Sequence, residues 1–303
     1  MNAKISVGTS AFTMGVYADN PIPLEKVVGR LADLGYDGLE LPADKGYGSL
    51  EDWPDSAGRK KLMQLVRGAG LEISSYGADL SPNPFYSNDP AVRAGAQTIF
   101  EKSIQFCLDC DIPLIRVDTL ADPPHPPDVT YQDAWQRAVD TFRTYAELAG
   151  AQNIIVAWEF EPGFMFNKPA EIVGLIKEVD HPNFTTMFDF CHAHMCAAVG
   201  ARQSPPQETL PGGAVELGQQ LAGHIGFVHL IDSDNTLHDE ITSTHTPFGT
   251  GVLDMRQLVQ TMLEAGYQSP WWTIDLCFWP EAWQELKPSL DYVRSLLYEF
   301  DLL

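Results

Sequence analysis

Positive charge is what the chain is short of: 19 lysines and arginines stand against 41 aspartates and glutamates in 303 residues, a formal net charge of −22. A surface of that sign repels nucleic acid and anionic membranes, so extended polyanions are excluded as partners, while a local Arg or Lys could still hold one phosphate. Cysteine is scarce as well. There are five, an odd number, which argues against a disulfide framework and for reduced thiols in the cytoplasm. Cys107 and Cys110 form a C-x-x-C in FCLDC with no second pair near them, and read as packing thiols close to a helix end rather than a zinc or redox site. No apolar run approaches the about 18 residues of a membrane span. MNAKISVGTS enters a strand-like run without a basic n-region or apolar h-region, so no signal peptide is expected. A G-x-G-x-x-G after the first strand is also missing, since GTSAFTMG at Gly8 to Gly15 does not fit that spacing; this weakens a dinucleotide-binding open sheet.

What is present is a full core, with 45% hydrophobic residues, and a steady alternation of strand-like and helical runs. Strands are expected at Lys4 to Ser10, Asp37 to Leu41, Leu71 to Ala78, Pro113 to Thr119, Asn153 to Trp158, Phe184 to Phe188, Ile225 to Ile231 and Trp271 to Asp275. Helices are expected between them, for example Leu24 to Leu34 with Val27, Val28, Leu31 and Leu34 on one face, then Lys60 to Arg67, Pro90 to Asp109, Tyr131 to Leu148, Lys168 to Val179, Val215 to Leu221, Met255 to Ala265 and Ala282 to Tyr298. Eight such pairs with no linker predict a (β/α)8 TIM barrel closing as one domain over residues 1–303.

In that architecture chemistry sits at the C-terminal ends of the strands, and four ends carry metal-type ligands. The fifth strand runs into Glu159 and Glu161 in VAWEFEPGF, and the sixth into Asp189, with His192 three residues on. The seventh contains His229 in FVHLID, and the eighth ends at Asp275. Carboxylates crowded at one rim repel each other unless a cation neutralises them, and a mixed O/N set of this kind suits Mn²⁺, Co²⁺, Mg²⁺ or Zn²⁺. Trp158, Phe164, Phe166, Phe248, Phe278 and Trp279 are candidates to stack on a sugar ring. Glu40, Tyr76, Arg116, Asp118, His194 and His245 are further candidates. Arg116 and Asp118 alternate along one strand, so they either both face the mouth or pair with each other. The proline-rich Ala121 to Asp128 reads as a rigid extended loop that could form part of a lid.

Together these residues resemble the sugar phosphate isomerase/epimerase superfamily, the xylose isomerase-like barrels that include tagatose 3-epimerase and inosose dehydratase relatives. The likeness rests on Glu159, the D-x-x-H pair Asp189 and His192, His229 followed by FGTG at Phe248 to Gly251, and the terminal Asp275, and it runs from KISVGTS to the eighth strand. It implies one divalent metal, Mn²⁺ first, on Glu159, Asp189, His229 and Asp275. It takes Glu159 rather than Glu161 as the ligand because of its relation to Pro162, Gly163 and Phe164. His192, Glu161, Trp158, His245 and Arg116 would then face a small carbohydrate, and the protein would act as a homo-oligomer. The family commonly has Glu where this chain has Asp275, and an Arg a few residues past the seventh-strand His where this chain has Ser233 to Asn235. The second departure leaves a phosphate handle unidentified.

The chemistry these residues suit is removal of a proton next to a carbonyl on a ketose or keto-sugar, with Glu159 and Asp275 as paired acid/base groups and His192 as hydrogen-bond donor. Returning that proton gives an epimerase or isomerase. Expelling a leaving group instead gives a dehydratase or lyase on an inosose or 3-keto-glycoside, and a non-catalytic barrel subunit is the remaining alternative. A nuclease of the same barrel type is disfavoured by the shortage of Lys and Arg.

Overall fold

The computed structural model describes residues 2–303, which contain ten strands: β1 (Lys4–Gly8), β2 (Gly38–Pro42), β3 (Glu72–Gly77), β4 (Leu114–Asp118), β5 (Ile155–Glu159), β6 (Phe184–Asp189), β7 (Ile225–Leu230), β8 (Asp232–His238), β9 (Thr242–Thr246) and β10 (Trp271–Ile274). Eight of them form the expected closed parallel barrel, in which β10 stands between β7 and β1. Strands β8 and β9 are a separate antiparallel hairpin inserted after β7, where no strands were expected.

Helices α1 (Leu24–Leu34), α2 (Ser56–Gly68), α3 (Pro90–Asp109), α4 (Tyr131–Gly150), α5 (Pro169–Val179), α6 (Phe190–His194), α7 (Gly213–Gln220), α8 (Met255–Glu264) and α9 (Ala282–Tyr298) complete the chain. α1 buries Leu24, Val27, Val28 and Leu31 and stops at Gly35, whose φ of 88° suits glycine. α2 starts four residues before the expected Lys60 because the Asp55 carboxylate accepts the Gly58 N–H at 2.8 Å and caps it there. Cys107 and Cys110 are buried free thiols beside the end of α3. No helix among the described residues is long and apolar enough to cross a membrane.

The barrel interior changes from apolar to ionic along its axis. Leu114, Ala157, Met187, Phe227 and Trp271 pack together as a plug inside. Gly38 makes room for the indole, since a Cβ there would lie 2.8 Å from Trp271 and 2.5 Å from the Glu72 carbonyl oxygen. Side chains alternate faces along a strand, so two residues beyond each plug residue also point inward. That step reaches Arg116, Glu159, Asp189, His229 and Thr273, and a further step reaches Asp118 and Asp275. Thr273 shares a hydrogen bond of 2.7 Å with Ser6, a neutral layer between plug and charges.

Candidate metal centre and active site

Strands β10, β7, β6 and β5 are consecutive round the barrel, so Asp275, His229, Asp189 and Glu159 arrive from four neighbours. All four are buried, and one ligand atom from each lies within 4.8 Å of every other. His229 sits in the middle. Its Nδ1 is 2.9 Å from Glu159 Oε1, 3.6 Å from Asp275 Oδ2 and 4.0 Å from Asp189 Oδ2. Its Nε2 is 3.2 Å from Glu40 Oε2, and Glu40 also accepts from Ser75. With Nε2–H donated to Glu40, Nδ1 is the nitrogen that faces the three carboxylates and, once deprotonated, offers them no donor but a cation a lone pair.

Glu159 Oε1, Asp189 Oδ2 and His229 Nδ1 are buried without a hydrogen-bond partner. Buried polar atoms are costly when unpaired, and these three point at one another, so a divalent cation fits the place they surround. The remaining ligand atoms are tied down. Glu159 Oε2 is 2.8 Å from Arg116 Nη1, Asp189 Oδ1 accepts the His192 N–H at 2.7 Å and thereby caps α6, and Asp275 Oδ1 accepts the Cys277 N–H at 2.9 Å.

Burial pushes every carboxyl here up, and neighbouring cations decide which come back down. Glu159 is held well below the usual carboxylate range by Arg116 and His229 despite its burial, and Glu40 is lowered in the same way by His229. Burial prevails at Asp118 and Asp189, each pushed up to about 6, and at Glu161, pushed up to about 8. Burial alone would lower His229, but Glu40 and Glu159 hold it well above its ordinary value; burial and His245 keep His192 well below.

His192, Glu161, Arg116 and His245 line, together with Glu159 and Asp275, a cavity of about 250 Å³ at the barrel mouth. His192 Nδ1 is 2.9 Å from Ser243 Oγ and its Nε2 is 3.4 Å from Glu161 Oε2; Thr242 also donates to Glu161. His245 has no hydrogen bond on either ring nitrogen and stands 3.5 Å from Asp275 Oδ2 and 3.9 Å from Asp189 Oδ1. Arg116 reaches both Glu159 and, at 3.0 Å, Asp118, so pairing and facing the mouth are not alternatives.

Trp158 is elsewhere. As the neighbour of Glu159 on β5 it must point to the opposite face, and it is fully buried against Phe142 of α4 and Phe160, outside the cavity. Of the other aromatic candidates Phe164 and Phe278 line the cavity, whereas Phe166 packs on Trp135 and Phe248 stacks on Tyr292. Tyr76 is buried and bonds the Gly48 carbonyl, and His194 contacts Asn235. The segment from Ala121 to Asp128 bends and turns rather than extending, and only Leu120 before it reaches the cavity.

The residues missed from sequence are mainly those of the hairpin. Ile241, Thr242, Ser243 and His245 give the cavity one wall, of which His245 alone was named. Asp232 fastens its base: its carboxylate accepts four N–H groups, from Ser233, Gly249, Gly251 and Leu253, at 2.9 to 3.0 Å. This explains the G-x-G, because a Cβ on Gly251 would lie 2.3 Å from Asp232 Oδ1. Asp232→Ala leaves those mostly part-buried donors without their acceptor and should cost about 1–3 kcal/mol, with faster amide exchange at 249–253. Unchanged exchange there would show that the carboxylate is not the fastening.

The xylose isomerase-like TIM barrel family model matches residues 28–294. L-ribulose-5-phosphate 3-epimerase UlaE of Shigella flexneri serotype 5b is 26% identical over 274 residues, covering 88% of this chain and 85% of that protein. Among solved structures, D-psicose 3-epimerase from Clostridium cellulolyticum, crystallised with D-tagatose, superimposes with a TM-score of 0.74 at 17% identity, over 97% of this chain and 99% of that one. The IolI protein with a bound zinc atom gives 0.73 at 15% identity, over 98% and 97%. At such identities the structural matches speak for the fold. With a closed eight-stranded parallel barrel and a family match over most of its length, the chain belongs to the xylose isomerase-like TIM barrel family.

Proposed function

We propose that the chain is a divalent-metal-dependent sugar isomerase/epimerase, working as a single barrel domain, that removes a proton next to the carbonyl of a ketose or keto-sugar. The observation that carries this reading is the convergence of four ligand atoms within 4.8 Å, three of them buried and unpaired, at the floor of a sugar-sized cavity. The 3-epimerases among the relatives support a sugar as substrate. Glu159, Asp189, His229 and Asp275 would hold the cation. Mn²⁺ is the first expectation, and Co²⁺, Mg²⁺ and Zn²⁺ suit the same donors.

When bound, the cation would supply Lewis acidity and offset the charge that develops on the substrate oxygens. Glu159, anchored through Oε2 on Arg116, takes the proton, and Asp275, from the other end of the ligand row, is the second acid/base group. His192 stays neutral; with Ser243 donating to Nδ1, its Nε2–H faces Glu161 and the cavity and can bond a substrate hydroxyl. Ile241, Phe164 and Phe278 line the outer part of the cavity and would limit water above a bound sugar. The test is proton exchange. Protein supplied with Mn²⁺ should wash deuterium from D₂O into the carbon next to the carbonyl of a ketose in an NMR assay. A barrel that binds metal stoichiometrically and exchanges no ketose would end this reading.

Metal binding should depend on pH with a definite sign. Asp189, near 6, must ionise, and His229, held well above its usual value, must lose the proton on Nδ1. Both steps release protons, so affinity should rise with pH by about tenfold per unit for each proton released. Titration calorimetry at pH 7 in two buffers of different ionisation enthalpy should count at least one. A flat affinity without proton release would place the cation elsewhere.

A further inference from the structure

The cavity changes character with depth. Its floor is buried and anionic, whereas Met14, Leu120, Phe164, Ile241 and Phe278, all partly or largely exposed, form an apolar outer wall. A phosphate needs guanidinium or ammonium groups, or free backbone N–H groups at a glycine loop or helix start. Among the described residues that line the cavity there is no lysine, and the one arginine, Arg116, has both terminal nitrogens on Glu159 and Asp118, at 2.8 and 3.0 Å. Lys45 and Lys102 face a different cleft, beside Glu51 and Asp79. The glycine loop next to the hairpin is already filled, since Asp232 accepts the N–H groups of Gly249, Gly251 and Leu253. The start of α6 is filled by Asp189. Each of these places therefore holds a carboxylate of the protein itself; Arg202, beside the wall at the Ile241 carbonyl, is paired with Asp122 at 3.0 Å, and Glu40, Asp118 and Asp275 add repulsion.

Resting on the isomerase/epimerase reading, we infer that the substrate is a neutral, unphosphorylated monosaccharide whose end remote from the carbonyl is apolar, such as a terminal deoxy-ketose. The polar end, carbonyl and adjacent hydroxyls, meets the ionic floor. The other end meets a mainly apolar wall, in which Ser10 is the one partly exposed hydroxyl, so a terminal hydroxyl there is largely desolvated without return and a phosphate is also repelled. A volume of about 250 Å³ limits the body to a single sugar. The curated relatives carry a 5-phosphate in the names of their substrates, and the inference sets this chain apart from them.

The experiment compares kcat/KM by deuterium exchange, with Mn²⁺ supplied, across ketopentoses and ketohexoses, each as parent sugar, terminal phosphate ester and terminal deoxy sugar. The phosphate ester should be at least about 100-fold poorer than its parent, and the deoxy sugar about tenfold better. Leu120→Lys should raise the ratio of phosphate ester to parent by at least about tenfold, because it puts a cation on the outer wall. A phosphate ester used as well as its parent overturns the neutral-substrate inference and leaves the epimerase reading standing. A deoxy sugar no better than its parent overturns the apolar end alone. If no form of any ketose exchanges while metal is bound, the reading beneath the inference is what has failed.

Discussion

Glu159→Gln should all but abolish proton exchange, with kcat falling by about 10²–10⁴-fold from loss of the acid/base group and metal affinity falling with it. Glutamine keeps the length and shape of the side chain, so the packing of the barrel wall is preserved while the charge on Arg116 loses one of its two partners. It removes the anion that meets His229 Nδ1 at 2.9 Å and Arg116 Nη1 at 2.8 Å, and leaves a neutral amide among the ligands. Glu161→Gln is the matching control. Its carboxyl is tied to Thr242 and lies 3.4 Å from His192, outside the four-ligand cluster, so it should raise KM more than it lowers kcat. Elemental analysis with single-turnover exchange separates the two. Should Glu161→Gln stop exchange while Glu159→Gln keeps metal and turnover, the roles given to these neighbours are reversed.

The largest effect on stability is expected from Arg116→Met. Removing the guanidinium leaves Glu159 Oε2 and Asp118 Oδ2 buried without a cation, and breaking a buried pair from one side costs about 3–5 kcal/mol. At about 2–4 °C per kcal/mol in domains of this order, Tm of the metal-free protein should fall by about 6 °C or more. The sign with pH follows from Asp118, already pushed up to about 6 with its partner present. Without Arg116 it holds its proton more tightly still, so the Asp118 part of the loss should be small at pH 5, where that acid is neutral, and full at pH 8, while the Glu159 part, from a carboxylate held well below the usual range, persists at both. Arg116→Met with Asp118→Asn should recover part of it. A melting temperature insensitive to both changes would mean that solvent, not Arg116, neutralises this corner.

The barrel and the convergence of Glu159, Asp189, His229 and Asp275 were legible because both depend on rules that act locally. Runs such as IGFVHLI and FTTMFD can be buried only as inner strands, and polar residues at their ends can be tolerated only if they converge. The same rule of alternation exposes the misplaced residue: Trp158 and Glu159 are adjacent on a strand and cannot share a face. Choosing Glu159 already excluded Trp158 from the cavity. The hairpin was harder. Its turn places Asp239 and Glu240 at φ of 50° and 58°, with the Ile241 N–H on the His238 carbonyl at 2.9 Å. Two-residue turns of that kind usually announce themselves with Asn-Gly or Asp-Gly, and here neither position is glycine. The alternating T-S-T-H-T of β9 was the signal left to read. The pairing of Glu40 with His229 joins residues 189 positions apart, and no local pattern specifies it.

The hairpin pairs with none of the barrel strands. The protein can therefore retool what it accepts without renegotiating how it folds: a new sequence between Ser233 and Thr246 reshapes one wall of the cavity while the cluster of Glu159, Asp189, His229 and Asp275, built from the staves, is inherited unchanged. Divergence of taste within such a lineage would then be concentrated in that short excursion, and a transplanted excursion should carry its taste with it.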